Sequence, residues 1–451
     1  MDQRLDLESG TIHDLNKPAP GMWRFPKNPA LCCIYRVPNS MRQVNPEAYT
    51  PQIVLIGPLH HSLKSQALNY HGDITNTKLM NYLNMERHKK IYLAKFAKRV
   101  GGGEKIIDGL RRTIEEDEEM IRESYSESTA WIESPEFVEM ILHDSVFILE
   151  FMLRNYEIDP SQKTGDPLMD EPCQGKMVRR DLGLLENQLP YFLLDKLFEP
   201  IIHTLFHRDD ITFRRLVIHF FYYINKIGDD STFKHFTDLS RCVLVETLPG
   251  KYITHKKILE LNEKYHAYKL YKGGVTFNAV DDEKFSLAVL SMDVEFKNGC
   301  LNIPCFYVDG HSEMKLRNIM ALEQCHYPYK THVCDYIFFM DSLIDTEEDV
   351  ALLVEKGIIK HFLGDIGSVA TMVNKLSWGV VNFGSYYSVI AKDVNSYYKS
   401  SWTKSRAVLK SVYFSNPWRG TATVTAALLL LLTLIQTVTS VMQVLQKNMK
   451  P

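Results

Sequence analysis

The sequence predicts a mainly α, α+β fold: a large helical globular region carrying a small antiparallel β element, followed by one C-terminal transmembrane helix. Three observations carry this. Apolar residues recur at helical spacing through most of the stretch from Leu31 to Tyr413, one alternating pattern flanks Asn298-Gly299, and no charged residue occurs from Gly420 to Gln446.

The first thirty residues contain Pro18, Pro20, Pro26 and Pro29 and read as a flexible lead-in. Acids near Met1 leave no apolar core for a secretory signal, so none is expected. From Thr77 to Val100 a helix is expected, with Tyr82, Met85, Tyr92, Leu93, Phe96, Ala97 and Val100 on one face. Gly101-Gly102-Gly103 reads as a joint. A second helix over Ile106 to Tyr125 carries the run Glu115 to Glu119, the pattern of a solvated face.

Ser134-Pro135-Glu136 predicts a helix start, with Ser as N-cap and Pro at the first helical position. The apolar stripe that follows is Phe137, Met140, Ile141, Phe147, Ile148 and Phe151, and Asp144 falls inside it. A carboxylate on a buried stripe must be paired or hydrogen-bonded, because leaving it alone costs several kcal/mol. Glu323 raises the same question on the stripe of Leu316, Ile319 and Met320. Both are expected to be structural buried acids. Glu186, Asn187 and Gln188 stand before Pro190, where one helix is expected to end and the next to begin. This triplet is expected to cap backbone groups at the junction.

A two-residue turn at Asn298-Gly299 would pair Phe296 with Leu301 and Val294 with Ile303. Stretches at Gly273 to Phe277 and Phe285 to Val289 offer further strands. Thr346-Glu347-Glu348-Asp349 opens a later helix as a capping box and stops near Gly357.

Helices need about 20 residues to cross a bilayer. The expected transmembrane helix runs from Thr421 to Leu445, after a juxtamembrane stretch that brings the segment to 414–446, and a short tail occupies 447–451. Basic residues Lys399, Lys404, Arg406, Lys410 and Arg419 precede it, against Lys447 and Lys450 after it, so the positive-inside tendency places the bulk in the cytosol. The hydrophobic segment at the end predicts a tail anchor, in the plasma membrane or an endomembrane. Gln436 and neighbouring Thr residues are expected to support self-association. The aromatic and basic stretch Tyr397 to Trp418 suggests contact with lipid headgroups.

Composition narrows the function classes. At 451 residues the chain exceeds the ~250–300 at which single cores split, so residues 31–413 form one large domain or two closely packed lobes. A net charge of -3 supplies no attraction to nucleic acid, and Lys89-Lys90 and Arg111-Arg112 read as ordinary helix-face charges. Eight cysteines occur without a CxxC pair, and Cys32, Cys33, His60 and His61 lack metal-ligand spacing, so no metal or cofactor is expected. No GxSxG, GxxxxGK[ST], HExxH or kinase set is present. The expectation is a non-enzymatic recognition or signalling protein with membrane lipid and an unknown protein or peptide as partners. The alternative is a membrane-tethered enzyme using Asp144, Glu186 or Glu323.

Several stretches carry a family resemblance: Ile34-Tyr35-Arg36-Val37-Pro38, Ala48 to His61, Met85-Glu86-Arg87-His88-Lys89, Asp181 to Pro190, Gly274-Val275-Thr276-Phe277, Leu301-Asn302-Ile303-Pro304 and Leu316 to Cys325. In these the chain resembles the plant family known as domain of unknown function 247, over nearly all of Leu31 to Leu445. The resemblance implies a mostly helical plant membrane protein with no established catalytic residues. Some grass members are associated with self-incompatibility loci, where they are candidates for pollen-side specificity. Leu55 departs from the family pattern, which often has a small polar residue there.

Overall fold

A helix that is apolar on almost every face has to be surrounded, and this dictates the centre of the fold. In the computed structural model, which describes residues 19–70, 76–157, 159, 161–206, 211–222, 232–249, 265–280, 290–382, 384–400 and 417–448, the first longer helices are α1 (His61–Leu68), α2 (Thr77–Arg99), α3 (Gly103–Glu116) and α4 (Ser134–Glu157). The fourth of these is the central one. Beyond the expected stripe, Val138, Leu142, Val146, Leu149, Met152 and Leu153 are also buried. Helices α2 and α3 pack against α4, and so does α7 (Phe213–Tyr222), which follows α5 (Pro172–Asp181) and α6 (Tyr191–Phe206).

Further along, α8 (Phe236–Val245) packs on the later helices α9 (Ser312–His326) and α10 (His332–Leu343). Then come α11 (Glu347–Glu355), α12 (Ile366–Leu376) and α13 (Ser388–Lys399). Two small sheets sit among them. Strands β1 (Thr276–Val280), β2 (Glu295–Lys297) and β3 (Cys300–Pro304) take the order β1-β3-β2, while β4 (Phe306–Val308) pairs with β5 (Ile359–His361).

Elements expected from the sequence are found with identifiable adjustments. The hairpin is in register, with Phe296 opposite Leu301. Its turn needs two left-handed residues, and Asn298 has φ 52° and Gly299 φ 80°. The β element is mixed rather than purely antiparallel, because β1 joins β3 in parallel and β4 joins β5 in parallel. A strand at Phe285 to Val289 lies outside the described residues. The capping box at Thr346 and Asp349 is present in full.

Three expected boundaries move. The acidic helix is interrupted at Asp117, whose φ of -98° and ψ of 5° end α3 while its carboxylate takes Lys196 of α6 at 2.7 Å. Ser134 lies inside α4 and donates its hydroxyl to Glu118 at 2.5 Å instead of capping. Before Pro190 the helix has already stopped at Asp181, since Leu182 to Leu189 form turns held by the side chains of Asn187 and Gln188. The lead-in is likewise fastened at Trp23 and Arg24. Arg24 pairs with Glu123 and donates to the Tyr125 carbonyl at 2.7 Å, and Trp23 bridges to Glu127.

Helix α14 (Pro417–Asn448) contains a 23-residue segment, Thr421–Gln443, with mean hydropathy 2.0 and none of it buried. It is long and apolar enough to cross a membrane. Its threonines direct their protons inward along the helix: Thr433 to Leu429, Thr437 to Thr433 and Thr439 to Ile435, at 2.7 to 2.9 Å. These bonds lower the polarity the helix presents sideways.

Candidate functional site

Three acids singled out in the sequence are buried, and each has its own set of partners. Asp144 Oδ1 accepts Lys89 Nζ at 2.7 Å, and its Oδ2 accepts Lys64 Nζ at 2.5 Å and the Gly57 amide at 2.8 Å. Lys89 also donates to the Leu55 carbonyl at 2.6 Å and to Glu86, which uses all three ammonium protons. Burial pushes the Asp144 carboxyl up, but the two lysines outweigh it and hold it below the ordinary carboxylate value. Lys89, buried against two carboxylates, is held above the ordinary lysine value. Two cations facing Asp144 and Glu86 make the cluster neutral, the condition under which charge tolerates burial.

Glu186 holds the N-terminal segment. Its Oε1 accepts the Val37 amide at 2.6 Å and Arg42, and its Oε2 accepts Arg36 at 3.2 Å. Asn187 takes the Ile56 amide at 2.6 Å and donates to the Val54 carbonyl at 3.0 Å. Gln188 donates to the Leu182 and Leu184 carbonyls at 2.7 Å each and accepts the Phe236 amide at 2.9 Å. The triplet thus satisfies backbone groups, but several belong to segments more than 100 residues away. Asp181 completes the set by accepting the successive amides of Gln52, Ile53 and Val54 at 2.7 to 2.9 Å, and burial pushes its carboxyl up to about 6.

Glu323 is buried between Arg241, at 3.0 Å, and the amides of Val333 and Cys334 at 3.1 and 2.9 Å. Burial raises its carboxyl above the usual value despite the arginine. Among the described residues Asp144, Glu186 and Glu323 share no partner, and none of them lines the cavity described next. Their geometry is that of tethers between segments.

A cavity of about 470 Å³ opens elsewhere, between α5, the end of α7, α8 and the β4–α9 turn. Its walls are apolar and aromatic: Phe221, Tyr222, Leu244, Leu290, Phe306, Leu316, Ile319 and Phe362. Cations enter from two elements, Arg179 and Arg180 from α5 and Lys315 from α9. Lys315 Nζ stands 5.1 Å from the centre of the Tyr222 ring and Arg179 4.6 Å from that of Phe220. Asp309, the one carboxylate of the lining among the described residues, is engaged by the His311 amide and the Ser312 hydroxyl, each at 2.9 Å. Burial pushes Lys315 down to about 8, with Asp309 opposing, and also holds His311 below the ordinary imidazole value. The lining is therefore cationic at its polar end and greasy elsewhere.

Sequence reasoning does not single out Lys315 or Arg180. Lys315 sits in Met314-Lys315-Leu316-Arg317, where nothing separates it from a surface lysine. The doublet Arg179-Arg180 directly ahead of Asp181 is the one visible signal. Among the described residues no group of three or more His, Cys, Asp or Glu side chains is placed to hold a metal ion.

With this geometry in hand, comparison with known proteins gives the class. The family described as plant protein of unknown function, DUF247, matches residues 34–432, and the chain belongs to it. UPF0481 protein At3g47200 of Arabidopsis thaliana is 26% identical over 447 residues, covering 92% of this chain and 87% of that one. Putative UPF0481 protein At3g02645, from the same plant, is 29% identical over 168 residues, covering 37% and 31%. No solved structure matches the chain.

Proposed function

We propose that this chain is a single-pass membrane protein whose folded body serves recognition or signalling rather than catalysis. The observation that carries the membrane half is α14: an uncharged apolar segment of 23 residues with no part buried has no stable place in water. Trp418, 85% exposed at its start, suits an interface anchor. The basic excess before the helix favours a cytosolic body.

Support for recognition comes from the acids. Each of the three candidates for acid–base chemistry is committed to cations or amides that stabilise the fold, and among the described residues the cavity presents no comparable pair of carboxylates. A pollen-side specificity role, as associated with some grass members, is one form such recognition takes.

Protease treatment of sealed microsomes carrying the N-terminally tagged chain tests the arrangement. We expect carbonate-resistant membrane association and digestion of the tag without detergent. Release by carbonate removes the membrane reading, and a protected tag reverses the orientation.

A further inference from the structure

Beyond membrane attachment, the cavity between α5, α8 and α9 has a chemistry of its own. Its volume of about 470 Å³ lies within the range of small-molecule sites, roughly 300–1,000 Å³, which are mostly apolar with a few placed polar groups. Aromatic rings, Phe221, Tyr222 and Phe306 among them, line it together with aliphatic side chains. A wholly apolar ligand would leave the charges unexplained, because arginine and lysine beside a greasy wall lose hydration without gaining a partner.

The charge balance decides what the partner is. Arg180 and Lys315 come from different helices, and Asp309 is already bonded within its own turn. Among the described residues the Lys315 ammonium has no ion pair or hydrogen bond, only the face of Tyr222 and the longer-range pull of Asp309. Other partly buried cations, Lys64, Lys89, Arg36 and Arg241 among them, meet a carboxylate. We propose that this cavity binds a small amphipathic anion, with its apolar body against Phe221, Phe306 and Ile319 and its acidic head on Lys315 and Arg180.

A charge-assisted bond to a partly buried ammonium separates an anion from its neutral isostere by roughly ten-fold or more in affinity. The shared chemistry, an acidic head on an apolar body, is met by an acyl chain from the bilayer and by a soluble aromatic acid.

The test uses the full chain in nanodiscs of uncharged lipid, with empty discs subtracted, titrated with naphthoate, laurate, naphthalenemethanol and naphthylmethylammonium. We expect both acids to bind, the alcohol at least about ten-fold more weakly than naphthoate, and the ammonium not at all. Lys315→Met should reduce naphthoate affinity by a similar factor, Lys315→Arg should retain it, and Lys315→Glu should admit the ammonium. Should Lys315→Met fail to fold, Arg180→Gln replaces it and should likewise weaken naphthoate binding. Tighter binding of laurate assigns the site to an acyl chain, and tighter binding of naphthoate to a soluble acid. Absence of binding, equal affinity for acid and alcohol, or unchanged binding in folded Lys315→Met or Arg180→Gln overturns the proposal.

Discussion

Gly57 donates its amide to Asp144 across 87 residues of sequence, at 2.8 Å, from a backbone conformation with φ 75°. The conformation and the bond depend on each other. A Cβ at position 57 would meet the Gln188 carbonyl oxygen at 2.6 Å, so only glycine lets the segment pass between Gln188 and α4. The bond in turn places Asp144 between its two lysines.

Gly57→Ala is therefore expected to destabilise the body by at least about 1–3 kcal/mol from positive φ alone, before any cost of the close carbonyl. Denaturant unfolding of the full chain in neutral detergent checks this. A change below the experimental error would show that the segment moves aside freely.

Asp144→Asn should cost about 3–5 kcal/mol, since it strands the buried Lys64 ammonium and leaves Lys89 with Glu86 as its carboxylate partner. Glu323→Gln should cost clearly less. Glu323 faces a single cation, and its carboxyl is already raised by burial, so the neutral isostere loses less there. Parallel unfolding curves decide, and equal losses would mean that the two clusters are energetically alike.

His235 provides one pH-dependent contribution to stability. Its Nε2 lies 3.0 Å from the Cys33 carbonyl and its Nδ1 accepts the Asp238 amide at 3.4 Å, so the ring is held neutral. Burial pushes its pKa down to about 4, below the ordinary 6.5 of the unfolded chain. Between these values this ring binds more protons in the unfolded chain, so its contribution to stability is full above pH 6.5 and falls as pH drops towards 4. The loss from this ring is on the order of 3 kcal/mol at the acid end. In His235→Gln the slope of unfolding free energy against pH should shrink by up to one proton over that window, and an unchanged slope would mean another group is responsible.

Thiol labelling should be selective. Of the cysteines, all in the free form, Cys173 is exposed, whereas Cys33 and Cys334 are buried and burial pushes the Cys33 thiol up to about 12. Maleimide should modify Cys173 first in the native chain and reach Cys33 only on unfolding, as peptide mass mapping would show.

Local patterns in the sequence were enough for the helices, the hairpin register and the capping box, because each depends on neighbours in the chain. The burial of Asp144 was legible for the same reason, as an acid on an apolar stripe. Its partners were not. Lys64 and Lys89 belong to other helices, and which lysine meets which carboxylate is decided by the packing of α1, α2 and α4. The same limit hid the cavity, whose cations are distinguished from surface charges only by the aromatic rings that α7 and β4 bring to them.

The tethers on the segment from Cys33 to Gly57 also govern how the chain can fail. Tyr35 meets His326 at 3.0 Å, and Asn318 donates to the Ala48 carbonyl at 2.8 Å, so this early segment completes its bonding only with residues synthesised some 270 to 290 positions later. Such distant closure slows folding. A messenger interrupted before the codon for His326 yields a polypeptide that retains the early segment without its late partners. Premature stop codons in this stretch should therefore behave alike, as complete losses of the body, with no shorter product preserving a working half.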